Sequence, residues 1–198
     1  MLKRLLTTLL AWGSGMPVSK RAFTRDAAFV YRMGAGFPGD VNRTHPADIE
    51  PVLQSGTPFT AYGQAVVIAA DGTNGVRPLG AGDAALTKIW GVTVRPFPTQ
   101  QRSGGDSASL GSATPPTTGT ADVLKHGYIM VKVPATDPAP AKGGAVFVRV
   151  ANSPGADDPV GGFKTQADGG NTAALDTDRY VFNGPADANG NVELIVRQ

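Results

Sequence analysis

Glycine and proline interrupt this chain so often that long helices are excluded over most of its length. Its 26 glycines and 16 prolines exceed a fifth of the 198 residues, against ~12% in an average protein. Both are costly inside a helix or a central strand. Between the interruptions lie short runs rich in β-branched and aromatic residues, the pattern of strands joined by turns. This predicts strands over 64–69 and 76–79, turned by Asp71-Gly72-Thr73-Asn74-Gly75, and further strands over 89–95, 123–133, 145–150, 180–182 and 192–197. A short strand is also expected over 27–33. Residues 152–179 read as a turn-rich excursion with a hairpin tip at Asp168-Gly169-Gly170-Asn171. Strands without intervening helices imply an all-β fold, an antiparallel β-barrel or sandwich, rather than an α/β enzyme.

Residues 84–101, AALTKIWGVTVRPFPTQQ, join a hydrophobic strand to a stiff polar exit. Strict alternation puts Trp90, Val92 and Val94 on one face, expected to be the core face, and Ile89, Gly91, Thr93 and Arg95 on the other. Pro96 and Pro98 end the strand and hold the chain extended. Such a strip, with Arg95, Pro96, Phe97, Pro98 and Gln100, suits contact with a partner at low entropic cost. In 123–133, Leu124, His126, Tyr128, Met130 and Lys132 alternate with Val123, Lys125, Ile129, Val131 and Val133. Neither face is polar at its centre, which predicts a central strand.

The two ends of the chain differ in charge. The first 44 residues hold Lys3, Arg4, Lys20, Arg21, Arg25, Arg32 and Arg43 against Asp26 and Asp40, while the remaining eleven basic and fourteen acidic residues make the body slightly acidic. Leu2, Leu5, Leu6, Leu9 and Leu10 fall at helical spacing, so the start reads as a short amphipathic docking helix in preference to an export signal. It is too short to span a bilayer. Gly13-Ser14-Gly15 and Pro17 form a joint. The expected organisation is an arm over 1–25 and a β-rich body over 26–198, with a Gly/Ser/Thr/Pro-rich loop at 102–121.

Chemistry is sparse. With no cysteine there is neither a disulfide framework nor a thiolate metal site. The histidines, His45 and His126, have no metal-ligand spacing, no GxSxG elbow is present, and the glutamates are Glu50 and Glu193 alone. Asp157-Asp158 before Pro159 reads as a solvated turn. Gly34-Ala35-Gly36-Phe37-Pro38-Gly39 has the GxGxxG spacing, but Pro38 and the loop-forming residues after it do not provide the helix that a dinucleotide site requires. Asp40, Arg43 and His45 read as a polar cluster, Arg43 offering a planar fork to a partner carboxylate. Net charge of +2 is too small to point to nucleic acid. No catalytic residue, cofactor or metal is expected; a secreted carbohydrate-binding or adhesin module is the alternative from another class.

Two motifs carry a resemblance. Tyr31-Arg32-Met33-Gly34-Ala35-Gly36-Phe37-Pro38-Gly39-Asp40-Val41-Asn42-Arg43 and Ile89-Trp90-Gly91-Val92-Thr93-Val94-Arg95-Pro96-Phe97-Pro98-Thr99-Gln100-Gln101 resemble the structural cement (decoration) proteins of tailed bacteriophages. Lys142 to Val148 and Val192 to Val196 resemble their β-barrel bodies, and the likeness runs over 22–198. It implies a non-enzymatic protein of the virion that binds the outer surface of the expanded icosahedral head and bridges major capsid protein subunits. Self-association as a homo-dimer or homo-trimer is expected, with assembly in the host cytoplasm and neither nucleic acid nor membrane as partner. Candidate partner contacts are Leu2, Leu5, Leu6 and Leu9 of the arm, then Arg43, Arg95, Pro96, Phe97, Pro98 and Gln100.

Overall fold

The computed structural model describes residues 36–43, 46–96 and 115–197. Ten strands run through them: β1 (Asp48–Leu53), β2 (Ala65–Ile68), β3 (Val76–Pro78), β4 (Gly91–Thr93), β5 (Thr120–Lys132), β6 (Phe147–Arg149), β7 (Phe163–Lys164), β8 (Thr172–Ala174), β9 (Tyr180–Phe182) and β10 (Asn191–Val196). The only helical turns among the described residues are 3-10 turns at Ala81–Asp83 and Gly169–Asn171. Seven strands form one antiparallel sheet in the order β3-β2-β4-β5-β10-β9, with β1 also paired to β5, and β6 lies between β7 and β8 in a second sheet. Among the described residues the larger sheet does not close on itself, so of the two expected architectures the sandwich is the one found.

β5 holds the larger sheet together because its two halves serve different partners. β1 pairs along Thr120–His126 and β10 along Gly127–Lys132. Between the halves the register with β1 slips: Asp48 faces His126 but Ile49 faces Leu124, leaving Lys125 as an extra residue. Such a bulge reverses the side-chain alternation beyond it. Leu124 therefore shares the main core with Ile129, Val131 and Val133, which corrects the uninterrupted alternation expected from sequence. Gly127 makes this possible at φ +134°, where an added Cβ would lie 2.6 Å from the Pro46 carbonyl oxygen.

Both faces of the sheet are covered. Ala65, Val67, Val92, Val94 and Leu124 join the main core, whereas Val66, Val76 and Val123 join Phe59 on the opposite face. This explains why these strands read as continuous apolar runs. Trp90 corrects another expectation: Ile89 joins Val92 and Val94 in the main core, and Trp90 is half-buried against the Phe59 cluster. The face changes at Gly91, which lies so close to β5 that a Cβ would collide with the Leu124 carbonyl. Lys125 covers the exposed side of the indole, its Nζ 4.0 Å from the ring centroid.

β1, β7 and β8 had no counterpart among the expected strands. Pro51 masks β1 as loop, and β7 has only two residues. Gly169–Asn171 is a link rather than a hairpin tip, since β7 and β8 flank β6 and do not pair with each other. Asp158, expected in solvent, is 6% exposed. Its Oδ1 accepts from Arg149 Nε at 2.6 Å and its Oδ2 from Lys164 Nζ at 3.0 Å. Lys164 Nζ also donates to Asp137 Oδ1 at 2.7 Å, and Asp137 Oδ2 accepts the Thr165 amide at 3.0 Å. Arg149 Nη2 reaches Asp168 at 2.8 Å, while Nη1 donates to the carbonyls of Ala151 and Asn152. Buried charges require this density of partners, because each removed from water is costly unless paired and hydrogen-bonded.

Candidate functional site

The two motifs, separated by 45 residues in sequence, meet at one edge of β5. The first forms a tight turn in which the Phe37 amide donates to Asp40 Oδ2 at 2.8 Å and the Asp40 amide to the Phe37 carbonyl at 3.0 Å. The turn is then stitched between β5 and the end of β4. The Gly39 amide donates to the Met130 carbonyl at 2.8 Å, the Met130 amide to the Asp40 carbonyl at 2.9 Å, and the Arg95 amide to the Gly39 carbonyl at 2.9 Å. Gly39 has φ +89°, and a Cβ there would stand 2.7 Å from Tyr62 Cβ and 2.9 Å from the Arg95 nitrogen. Only glycine fits this position without displacing its neighbours.

The result is an aromatic ring held out from the body. Phe37 is 61% exposed, and the Arg95 guanidinium carbon sits 4.7 Å from its ring centroid. Arg95 Nη1 is 3.8 Å from Asp40 Oδ1, and its side chain is only 13% exposed. Its buried Nε meets no acceptor among the described residues. Tyr62 lies in the same neighbourhood: burial, the largest influence, raises its phenol pKa, Arg95 opposes the rise and Asp122 adds to it. The arrangement offers chemistry for recognition: an exposed apolar ring with a cation behind it.

Of the sequence-predicted contacts, Arg95 and Pro96 lie here, both half-buried. Phe97, Pro98 and Gln100, and Leu2, Leu5, Leu6 and Leu9, lie outside the described residues. Arg43 is elsewhere. Its Nη2 and Nε reach the Glu193 carboxylate at 3.0 and 3.3 Å, and its guanidinium stacks 4.2 Å above the Tyr128 ring. The expected grouping of Asp40 with Arg43 and His45 is not formed: Asp40 faces Arg95, Arg43 faces Glu193, and His45 lies outside the described residues. Phe37 belongs to the first motif but is not among the contacts read from the sequence. The signal for it was the turn Gly36-Phe37-Pro38-Gly39, where glycines flank an aromatic that no strand claims. Among the described residues no group of three or more histidine, aspartate or glutamate side chains is placed to hold a metal ion.

Comparison with known proteins adds two findings. The family model of the XM1 gp53 minor capsid protein matches residues 27–196. A chain in the solved structure "The capsid of Myoviridae Phage XM1" superposes with a TM-score of 0.60 at 19% identity, over 82% of this chain and 91% of that one. No curated protein matches the chain.

Proposed function

The chain belongs to the XM1 gp53 minor capsid protein family, and from that premise we propose that it is a cement protein on the outer surface of a tailed-phage head. In this reading it binds the expanded shell, bridges neighbouring major capsid protein subunits and acts without catalysis. Assembly takes place in the host cytoplasm as a homo-oligomer. The observation that carries the reading is the exposed Phe37 ring, supported from behind by Arg95 and presented by a turn that only glycine permits. Aromatic residues and arginine are enriched in protein interfaces, and a solvent-facing phenylalanine fixed this firmly does little for the fold itself. Pro96, Phe97, Pro98 and Gln100 continue the contact from the Arg95 end, and Arg43 contributes from its exposed side. Leu2, Leu5, Leu6 and Leu9 of the arm complete the set of partner contacts, on the shell or on a sister copy. Purified protein should bind expanded heads that lack it, and Phe37→Ala should weaken that binding by ~30-fold or more, corresponding to at least ~2 kcal/mol. Binding of the variant at full strength would remove this site from the contact.

A further inference from the structure

β1 carries a second exposed apolar surface, distinct from Phe37. Ile49, Pro51 and Leu53 alternate onto one side of the strand; Ile49 is 42% and Leu53 60% exposed, and Pro51 is exposed as well. On that side they sit opposite Leu124, Asp122 and Thr120 of β5. The other side of β1 is already used, because Val52 packs against the Phe59 cluster.

The edge of β1 that pairs with no strand among the described residues is unsuited to strand addition. Asp122 turns its carbonyl toward β4, where it accepts the Val94 amide at 2.7 Å. Pro51, directly opposite Asp122, therefore has its backbone turned away from β5, at the open edge, and it has no amide hydrogen to give. Proline at such a position guards an edge against another strand. A partner must engage β1 through the Ile49 and Leu53 side chains.

The charges around this surface narrow the partner. Asp48 is exposed and Asp122 lies beside Pro51. Glu50 and Lys125 largely answer each other, Oε2 and Nζ being 3.3 Å apart, and His126 faces Asp48 across the pair. The surface is thus apolar with an acidic border, and it calls for an apolar segment with basic flanks. Residues 97–114 cannot supply one: besides Phe97 and Leu110 they are almost entirely small, polar or proline. Residues 1–12 carry five leucines together with Lys3 and Arg4, and no acidic residue precedes Asp26.

We infer that the Ile49–Leu53 face of β1 receives the leucine-bearing residues 1–12 of a second copy of this chain. The arm of one copy and the face of the next then form a heterologous contact, which can be repeated around a symmetric ring. Residues 13–25, which carry the Gly13-Ser14-Gly15 joint, span roughly 43 Å at ~3.3 Å per residue, enough to reach an adjacent copy. The inference names the partner of the arm within the proposed capsid role. Its test contains no capsid, so failure of either leaves the other to be judged separately.

The test uses two full-length variants, Leu53→Arg to spoil the face and the pair Leu5→Asp with Leu6→Asp to spoil the arm. Sedimentation or light scattering reads the association state, and thermal melting confirms that each variant is folded; Ile49→Arg serves as a second face variant. The wild-type chain should self-associate, each variant alone should do so at least tenfold more weakly, and an equal mixture of the two should regain association, because each supplies what the other lacks. A monomeric wild type overturns the inference, as does a mixture no better than its components, which would place the arm on its own body or elsewhere. Undiminished association of the arm variant also overturns it, indicating contact between two β1 faces.

Discussion

Arg149 and Arg95 are both arginines set at the end of a strand beside an aspartate, yet their surroundings differ in completeness. Arg149 is 3% exposed, and its Nε and both terminal nitrogens have acceptors in Asp158, Asp168 and the carbonyls of Ala151 and Asn152. Arg95 stands 3.8 Å from Asp40, leans on a ring that is mostly in solvent and keeps an unanswered Nε. A network satisfied from within fixes the fold and is closed to solvent, whereas the Arg95 group leaves the Phe37 ring presented at the surface. Position in sequence does not separate these roles, since each arginine follows a valine-rich strand. Only the count of partners does.

The largest effect on stability is expected at the closed network. Lys164→Ala strands the Asp137 and Asp158 carboxylates in the interior and should cost ~3–5 kcal/mol, read as a lower urea midpoint; a loss below ~1 kcal/mol would mean that water reaches the site. Next comes Gly39→Ala, which forces a left-handed backbone and a close contact at the open site. It should cost ~1–3 kcal/mol in thermal melts and also weaken shell binding, because the turn that presents Phe37 is displaced.

The closed network should also set the pH limits of stability. Burial, the largest influence on Asp158, pushes its pKa up, but hydrogen bonds from Arg149 and Lys164 and their charges outweigh it and the net shift is downward. Burial likewise pushes Lys164 down and is outweighed by Asp137 and Asp158, so its net shift is upward. The Asp158 contribution is therefore present above its unfolded value of ~3.9 and is lost as pH falls through the lower folded value. The Lys164 contribution is full below ~10.4 and is lost as pH rises through the higher folded value. Unfolding free energies measured against pH should fall in both of those directions, and Lys164→Met should lessen the alkaline fall, the raised Tyr62 and Tyr180 phenols supplying the rest. The smallest change in stability is expected for Phe37→Ala, ~1 kcal/mol or less from the lost cation–π contact, alongside the large loss of shell binding. A variant that melted several degrees lower with binding intact would assign Phe37 to the fold and erase the contrast between the two arginines.

The sequence was readable where local chemistry decides the structure. Val-rich runs between glycines became β2, β3, β5, β6, β9 and β10, and the centrality of β5 followed from the absence of a polar face. It was not readable where a long-range contact overrides the local signal. β1 exists because β5 supplies its partners despite Pro51, and the side on which Trp90 falls depends on the approach of Gly91 to Leu124. Asp158 looked like a surface residue because its counter-ions, Arg149 and Lys164, reach it from two other strands. At the candidate site Arg95 and Pro96 were legible from the proline-stiffened exit, while the exposure of Phe37 required knowing that Gly39 is held by Met130 and Arg95.

The place of β10 in the larger sheet bears on when the protein can fold. β10 lies between β5 and β9, so it is an interior strand whose residues, Asn191–Val196, are made after both of its partners. While the chain is being synthesised, Ile129 and Val131 of β5 have no covering strand on that edge, and the sheet cannot be completed until Val196 has emerged. Chains of this topology fold slowly and expose sticky surface while they wait. Completion of the larger sheet should therefore wait until residues 191–196 have been made, and a ribosome stalled before Asn191 should hold a chain that proteases cut throughout that sheet.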